Sequence, residues 1–146
     1  MSELQAVQLG QDNPIQYAFF LSGRILVARF SGLYRPGHSG KPDCLFIEGI
    51  AATAMDVWNC RGLVLDLSNL DYQWGDEMEW LLPIRRTCTK VNFPSATVVG
   101  PKCRNAIATL IFDDPKTTRL ATEHECIFDD VGSALLYVRQ QLEKSP

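Results

Sequence analysis

The sequence predicts an α/β sandwich in which a mixed sheet of four to five strands is covered by helices. Short runs rich in leucine and β-branched residues alternate along the chain with segments whose apolar residues recur at helical spacing. The run GLVLDL at residues 62–67 is almost continuously apolar, which is typical of a central parallel strand. A chain of 146 residues that is 46% hydrophobic can build one ordinary core and is too short for two. We therefore expect one domain over residues 1–146, with residues 1–13 as a flexible lead.

The first half of the chain predicts a β-hairpin followed by a helix. IQYAFFLSGRILVARFSG, residues 15–32, indicates two strands joined at Ser22-Gly23, a small and flexible pair that suits a tight turn. The following LYRPGHSGKPD contains two prolines and two glycines, which exclude regular structure. Pro42 fits the first turn of the next helix, because the N–H that proline lacks is not needed there. The apolar residues of that helix are Ile47, Ile50, Ala51, Ala54 and Trp58.

The second half of the chain predicts a further alternation of helices and strands. Residues 75–90 have helical spacing, but Pro83 removes a backbone hydrogen bond there, so we expect a kinked or split helix. SATVVG predicts a buried strand, RNAIATLIF a short helix and HECIF a last strand. Either Asp129 or Asp130 can cap a final helix, whose apolar stripe comprises Ala134, Leu135, Val138 and Leu142. This order of elements predicts right-handed crossovers that build a sheet covered by helices.

Composition and charge narrow the classes of partner. The net charge is −3 and the 14 basic residues are spread among 17 acidic ones, so no cluster of Lys and Arg is available to bind nucleic acid. Five cysteines without a C-x-x-C pair argue against a disulfide framework or a zinc knuckle and indicate reduced thiols. The N-terminus lacks the pattern of a secretory signal, and no window approaches the roughly 20 apolar residues of a membrane helix. We expect a cytoplasmic protein that binds neither nucleic acid nor membrane.

Two segments carry a resemblance to a known family. GLVLDLSNLDY, residues 62–72, is similar to the apolar strand and following turn of the STAS (sulfate transporter and anti-sigma factor antagonist) domain. IFDDVGSALLYVRQQL, residues 127–142, resembles that domain's closing strand, acidic cap and Ala-Leu helix. The similarity extends over residues 15–143. It implies a STAS-like sandwich with an N-terminal hairpin, and a bacterial, non-enzymatic regulatory module that binds another protein without a cofactor.

The turn after this strand departs from the family pattern. In STAS domains it commonly reads Asp-Ser-Ser-Gly, and phosphorylation of the first Ser switches partner binding. An ungapped alignment places Trp-Gly-Asp-Glu, residues 74–77, over those positions, so no hydroxyl is there to be phosphorylated. The two carboxylates can simply stabilise the start of a helix, by about 0.3–1 kcal/mol. Alternatively, their fixed charge replaces a phosphate in a docking surface with aromatic anchors, whose predicted partner-binding residues are Asp71, Tyr72, Trp74, Asp76 and Glu77.

The loop GLYRPGHSGKP, residues 32–42, matches a phosphate-binding loop only in part. A P-loop needs Gly five residues before its Gly-Lys and Ser or Thr after it, whereas Arg35 and Pro42 occupy those positions. Nucleotide hydrolysis is therefore disfavoured. Cationic side chains beside a helix N-terminus can still bind a small anion, and the candidates are Arg35, His38, Ser39 and Lys41. The alternatives are a plain mobile loop and a small anion-binding enzyme that uses residues 35–41.

The remaining histidine, cysteine, tryptophan and acidic residues that stand out in the sequence are predicted to have no role in binding a metal or in catalysis. His124 and Cys126 lack a second ligand pair, so no metal site is predicted, and nothing in the local sequence indicates an activated thiol, so no catalytic residue is predicted. Trp58 and Trp80 are interpreted as core residues. The acids around the turn are interpreted as solvated charges: Asp66, Asp71, Asp76, Glu77 and Glu79. The leading function is a protein-binding regulatory module, and an immunity or antitoxin protein that masks a toxin's active site is the second interpretation.

Overall fold

A mixed five-stranded sheet forms the centre of the fold. The computed structural model describes residues 4, 6, 13–75, 78–81 and 93–144. The strands are β1 (Gln16–Ser22), β2 (Ile25–Leu33), β3 (Gly62–Asp71), β4 (Ser95–Val99) and β5 (Ile127–Phe128). They lie side by side in chain order; β1 is antiparallel to β2, and the strands from β2 to β5 are parallel. The predicted α/β class and mixed sheet are confirmed.

The helices of the described residues are α1 (Gly40–Val57), α2 (Arg104–Phe112) and α3 (Val131–Lys144). Short 3-10 turns lie at Gly37–Ser39, Met78–Leu81 and Ala121–Glu123. The helix predicted over residues 75–90 falls largely on residues outside the described ranges, Pro83 among them. Within the described part of that segment, Met78–Leu81 forms a 3-10 turn.

Helices cover both faces of the sheet. In β2, Leu26, Ala28 and Phe30 pack in one apolar cluster with residues of α1 and α2. The alternate residues Ile25 and Val27 pack in a second cluster with α3. This split follows from the two-residue period of a strand, which points successive side chains to opposite faces. The helices thus cover the inner strands on both faces, while the edge strand β1 stays largely exposed. The loops at the ends of the inner strands can present functional side chains.

Two local features that the sequence predicts are present, a cap on the last helix and a tight turn in the hairpin. Asp130 caps α3, because its carboxylate oxygens accept hydrogen bonds from the Ser133 backbone N–H at 2.8 Å and the Ser133 hydroxyl at 2.9 Å. These bonds, the backbone one first, lower the pKa of Asp130. The hairpin turns at Gly23, whose φ of +59° lies in the left-handed region that glycine adopts without steric cost.

Two predictions are corrected by the fold. The prediction that Trp58 is a core residue is wrong: it follows the last residue of α1, Val57, and is 48% exposed. Its ring instead contacts Phe19 of the edge strand edge-on, with centroids 6.0 Å apart. The last strand has two residues where HECIF predicts five, because residues 124–126 form a bend and a turn. The side chain of Trp80 lies outside the described part of the chain.

Candidate functional site

The loops that follow β2, β3 and β4 meet at the carboxyl end of the parallel strands. The backbone N–H of Tyr34 donates to the carbonyl of Asp71 at 2.9 Å, and the N–H of Tyr72 donates to the carbonyl of Lys102 at 3.1 Å. In open α/β sheets this end is where binding sites form. The sequence offers the loop at residues 35–41 and the turn that begins at Asp71 as two separate candidates, and the described part of that turn, residues 71–75, is therefore a neighbour of the loop.

Two glycines allow these loops to pack against each other. A Cβ on Gly37 would lie 3.2 Å from Cη2 of Trp74, so the indole rests directly on this backbone. A Cβ on Gly75 would lie 2.7 Å from the carbonyl oxygen of Arg35, a distance that no side chain tolerates without a backbone shift. Residues 34–41 and 71–75 thus form one continuous feature, which we call the two-loop surface.

Tyr72 supports this surface from inside. It is 2% exposed, and its ring packs edge-on against Tyr34 with centroids 5.1 Å apart and planes at 86°. Aromatic pairs favour this geometry because the positive edge of one ring meets the negative face of the other. The prediction that Tyr72 is an exposed anchor is wrong, because the turn folds back onto the β2 loop and carries the ring inward.

Trp74 is the exposed apolar group of the two-loop surface. It is 63% exposed, more than any other aromatic residue whose side chain the structure describes. Asp71 is half-buried, and its carboxylate accepts a hydrogen bond from the Gln73 amide at 3.3 Å. The same amide donates to the carbonyl of Lys102 at 3.1 Å, which ties the turn to the loop after β4. Asp76 and Glu77 lie outside the described residues, so their predicted contact role stays a prediction.

Arg35, a predicted anion ligand, already has an anionic partner within the chain. Its Nη2 lies 2.7 Å from Oδ1 of Asp43, and its backbone N–H donates to Oδ2 at 2.7 Å. The side chain of Asn13 donates to the same carboxylate at 3.0 Å. The hydrogen bond from Arg35 to Asp43 raises the pKa of the guanidinium. Because Asp43 neutralises Arg35, less positive charge is available on the two-loop surface for an added anion.

Sequence reasoning missed Asp43, although a signal was present. Asp43 precedes Ile47, Ile50 and Ala54 by one, two and three turns, so it lies on the apolar face of α1. A carboxylate at such a position must find donors when the face is buried. Its donors come from residues 13 and 35, and that choice could not be read from the periodicity of α1.

His38, Ser39 and Lys41 are exposed where the loop enters α1. Gly37–Ser39 forms a 3-10 turn that leads directly into the helix at Gly40. The anion-binding role of Arg35, His38, Ser39 and Lys41 stays a prediction. A cavity of about 340 Å³ near the ends of β4 and β5 is lined by no residue of the 35–41 loop, and it therefore adds nothing to the idea of an enzyme that uses this loop. Its lining is Val99, Arg104, Asn105, Leu120, Ala121, Thr122 and Asp129.

Asp66 is not a solvated charge, contrary to the sequence interpretation. Its side chain is buried, and it accepts hydrogen bonds from Nε of Arg29 at 2.8 Å, the Ser68 N–H at 3.0 Å and the Ser68 hydroxyl at 2.6 Å. Arg29 and Asp66 are partners in the β2–β3 ladder, so the sheet itself brings the charges together. This carboxylate is held by the sheet and lies apart from the two-loop surface.

The cysteines whose pKa values shift are less reactive than ordinary thiols. Burial raises the pKa of Cys103 to about 11, and burial also raises the pKa of Cys126. Nδ1 of His124 accepts from the backbone N–H of Cys126 at 3.1 Å, and the thiol lies 3.1 Å from the Tyr137 hydroxyl. A thiol reacts as its thiolate, so the His124–Cys126 pair has a structural role in its turn.

The described residues contain neither a metal-binding cluster nor a membrane-spanning helix. No three His, Cys, Asp or Glu side chains in that part of the chain are grouped so that they could share a metal ion. No helix there is both long and apolar enough to cross a bilayer.

Comparisons with known proteins identify the fold. No protein-family model matches this sequence. No curated protein matches it either. Among solved structures, the chain is similar to an anti-sigma factor antagonist from Mycobacterium paratuberculosis, with a TM-score of 0.59 over 86% of this chain and 94% of that chain. Sequence identity is 20%, so this likeness concerns the fold. The STAS-like fold that the strand, turn and closing helix predict is confirmed.

Proposed function

We propose that this protein is a non-enzymatic regulatory module that acts by binding another protein through the two-loop surface. The similar solved structure is named as an anti-sigma factor antagonist, and a regulator of the anti-sigma factor class is the partner that this likeness favours. The proposed location is the cytoplasm. No step of this function needs a metal, a cofactor or a reactive side chain.

The exposed indole of Trp74 is the observation that carries this proposal. A tryptophan that is 63% exposed keeps a large apolar area in contact with water, and such residues are enriched at the energetic centres of protein interfaces. The contact with Gly37 holds the ring in place before a partner arrives. A pre-positioned ring loses little conformational entropy on binding, so more of its burial energy is available for affinity.

The chemistry of the turn makes this contact permanent instead of switchable. Residues 74–77 are Trp-Gly-Asp-Glu and contain no hydroxyl for a kinase to modify. Asp76 and Glu77 are acidic residues whose charge needs no kinase, whereas a serine would carry charge only after phosphorylation. In this proposal the protein occupies its partner constitutively, and its abundance sets the extent of regulation.

The test compares two tryptophans of similar exposure. The whole chain is used to capture its partner from a lysate of cells that express it, the captured protein is identified by mass spectrometry, and its affinity is measured by calorimetry. Trp74→Ala should weaken binding by about tenfold or more, because truncating a central aromatic anchor costs about 2 kcal/mol. Trp58→Ala, at the far end of α1, is the matched control and should leave affinity unchanged.

A second variant tests the charges of the turn. Asp76→Asn combined with Glu77→Gln should weaken binding to a basic partner surface, mainly through a slower association rate. Unchanged affinity in both this variant and Trp74→Ala would remove the turn from the interface and sink the proposal. Capture of a toxin whose active site is basic would instead support the immunity or antitoxin function that the sequence offers as its second interpretation.

A further inference from the structure

The outer edge of β1 has no strand beside it among the described residues. β1 is the first strand of the sheet and pairs only with β2 there. Its seven residues, QYAFFLS, contain no charge and no proline. Natural edge strands are usually shortened, charged or interrupted by proline, because their free N–H and C=O groups are a template for pairing with another chain. β1 has none of these protections.

An exposed apolar flank lies beside this edge. Tyr17 and Leu21 are each 50% exposed, and both point to the α1 side of the sheet, as Phe19 does. The Tyr17 ring lies 6.0 Å from that of Phe46 in α1, and the Phe19 ring lies 6.0 Å from that of Trp58 just after α1, so two β1 side chains contact this helix and its end. Between those two contacts α1 exposes small or apolar residues along this side. We call this set the β1 edge surface: Tyr17, Phe19, Leu21, Phe46, Gly49, Thr53, Val57 and Trp58.

We propose that the β1 edge surface binds a second copy of this chain, with the two β1 strands antiparallel about a two-fold axis at Phe19. The two five-stranded sheets then join into one of ten strands. In this register Phe19 faces its own counterpart, and Tyr17 faces the partner's Leu21. On the other side of the sheet Ala18 faces the partner's Phe20, so a small residue meets a large one. Every one of these facing pairs is apolar, and each copy supplies the strand that the other lacks.

The pattern of β1 favours a second copy as the occupant, because QYAFFLS is self-complementary about Phe19: its polar ends face polar ends and its apolar residues face apolar residues. Two chains of net charge −3 repel each other, and this repulsion is weakest along a strand that carries no charge. The cations Arg29 and Arg139 lie beside β1 on the opposite face, and both have partners. Arg29 lies over the Phe20 ring and is paired with Asp66, and Arg139 donates to the Ser22 hydroxyl. The inference goes beyond the proposed function, because Trp74 follows β3, two strands away from β1. A dimer formed in this way leaves partner binding to the two-loop surface.

Sedimentation velocity of the full chain between about 1 and 300 μM tests this dimer. We expect a concentration-dependent dimer in the wild type. Tyr17→Lys and Leu21→Glu should each weaken it by about tenfold or more, because each buries two unpaired charges at the two-fold interface. Leu136→Glu changes a leucine that is 56% exposed on α3 and is the matched control, with no expected effect. Circular dichroism checks that each variant is folded.

Mixing the two charged variants tests the register itself. In a mixed dimer Lys at position 17 of one copy faces Glu at position 21 of the other, so an equimolar mixture should dimerise more tightly than either variant does alone. A wild type that stays monomeric at every concentration overturns the proposal. So does a dimer that Tyr17→Lys and Leu21→Glu leave intact, or a mixture that dimerises no more tightly than either variant alone.

Discussion

Asp43 and Asp66 are both buried carboxylates paired with an arginine, but they hold different kinds of structure. Asp66 lies in β3 directly opposite Arg29 in the β2–β3 ladder. Asp43 lies in the first turn of α1 and binds Arg35 of the preceding loop and Asn13 of the segment before β1. Backbone pairing would align Asp66 and Arg29 even without their charges. The three segments that meet at Asp43 are not neighbouring strands, so no repeating pattern of backbone hydrogen bonds aligns them.

The difference shows where this fold needs a buried charge. Within a sheet, an ion pair adds to an arrangement that the ladder already defines. In a loop, backbone hydrogen bonds are few, and a carboxylate with several donors replaces them. The two-loop surface depends on the second arrangement, because Arg35 precedes by two residues the Gly37 on which Trp74 rests. Substitutions at Asp43 and Asp66 separate these two arrangements, and Asp130, an exposed capping carboxylate, supplies a third case in which no arginine is involved.

Asp43→Ala should cause the largest loss of stability, about 3 kcal/mol, because it leaves the partly buried Arg35 without a partner and releases Asn13 and the loop backbone. The free energy of unfolding is measured by urea titration followed by circular dichroism. The same variant should weaken partner binding, since the loop under Trp74 loses its tether. Asp56→Ala, an exposed acid on the same helix, is the control and should stay within about 0.5 kcal/mol of wild type. An unchanged urea midpoint for Asp43→Ala would contradict the tethering role.

Asp66→Ala should cost less, about 2 kcal/mol, since Arg29 is 40% exposed and can turn to water when its partner is removed. The backbone register of β2 and β3 should survive, so affinity for the partner should stay at the wild-type value. The two variants can be compared in the same urea and calorimetry experiments. If Asp66→Ala weakens partner binding as much as Asp43→Ala does, the distinction between the two carboxylates fails.

Asp130 gives the smallest effect and one that depends on pH. Its pKa lies below the ordinary value of 3.8 in the folded protein, so its capping contribution is present above that value and is lost as pH falls through the lowered pKa. Asp130→Asn keeps an acceptor oxygen but does not titrate. The wild type should therefore melt a few degrees higher than this variant above about pH 5, and the difference should shrink below about pH 3. Asp129→Asn is the neighbouring control. A difference that is constant across pH would show that the carboxylate charge is not what stabilises α3.

The sequence predicts correctly those features that depend on residues close together in the chain, and it fails for side chains whose burial depends on distant segments. The helix RNAIATLIF is observed at Arg104–Phe112 as predicted, and the acidic cap of the last helix is found at Asp130. The strand predicted at residues 62–67 is present but extends to Asp71, so Leu70 lies in the strand and not in the turn, and the hairpin is where its pattern indicates. These features depend on residues within a few positions of one another. Tyr72 and Trp58 were assigned to the wrong environment, because their burial depends on segments far away in the chain.

Sequence alone determined the class of fold, the order of the described strands and helices, and the absence of a side-chain hydroxyl at residues 74–77. Each of these is encoded in local periodicity, capping residues or residue identity. Only the tertiary structure joined the loops after β2 and β3 into one surface, buried Tyr72 under it and paired Arg35 with Asp43. Those outcomes depend on which glycines let two backbones approach and on which donors reach a buried carboxylate. Such contacts form between segments that are far apart in the chain and that meet only once the strands of the sheet have paired.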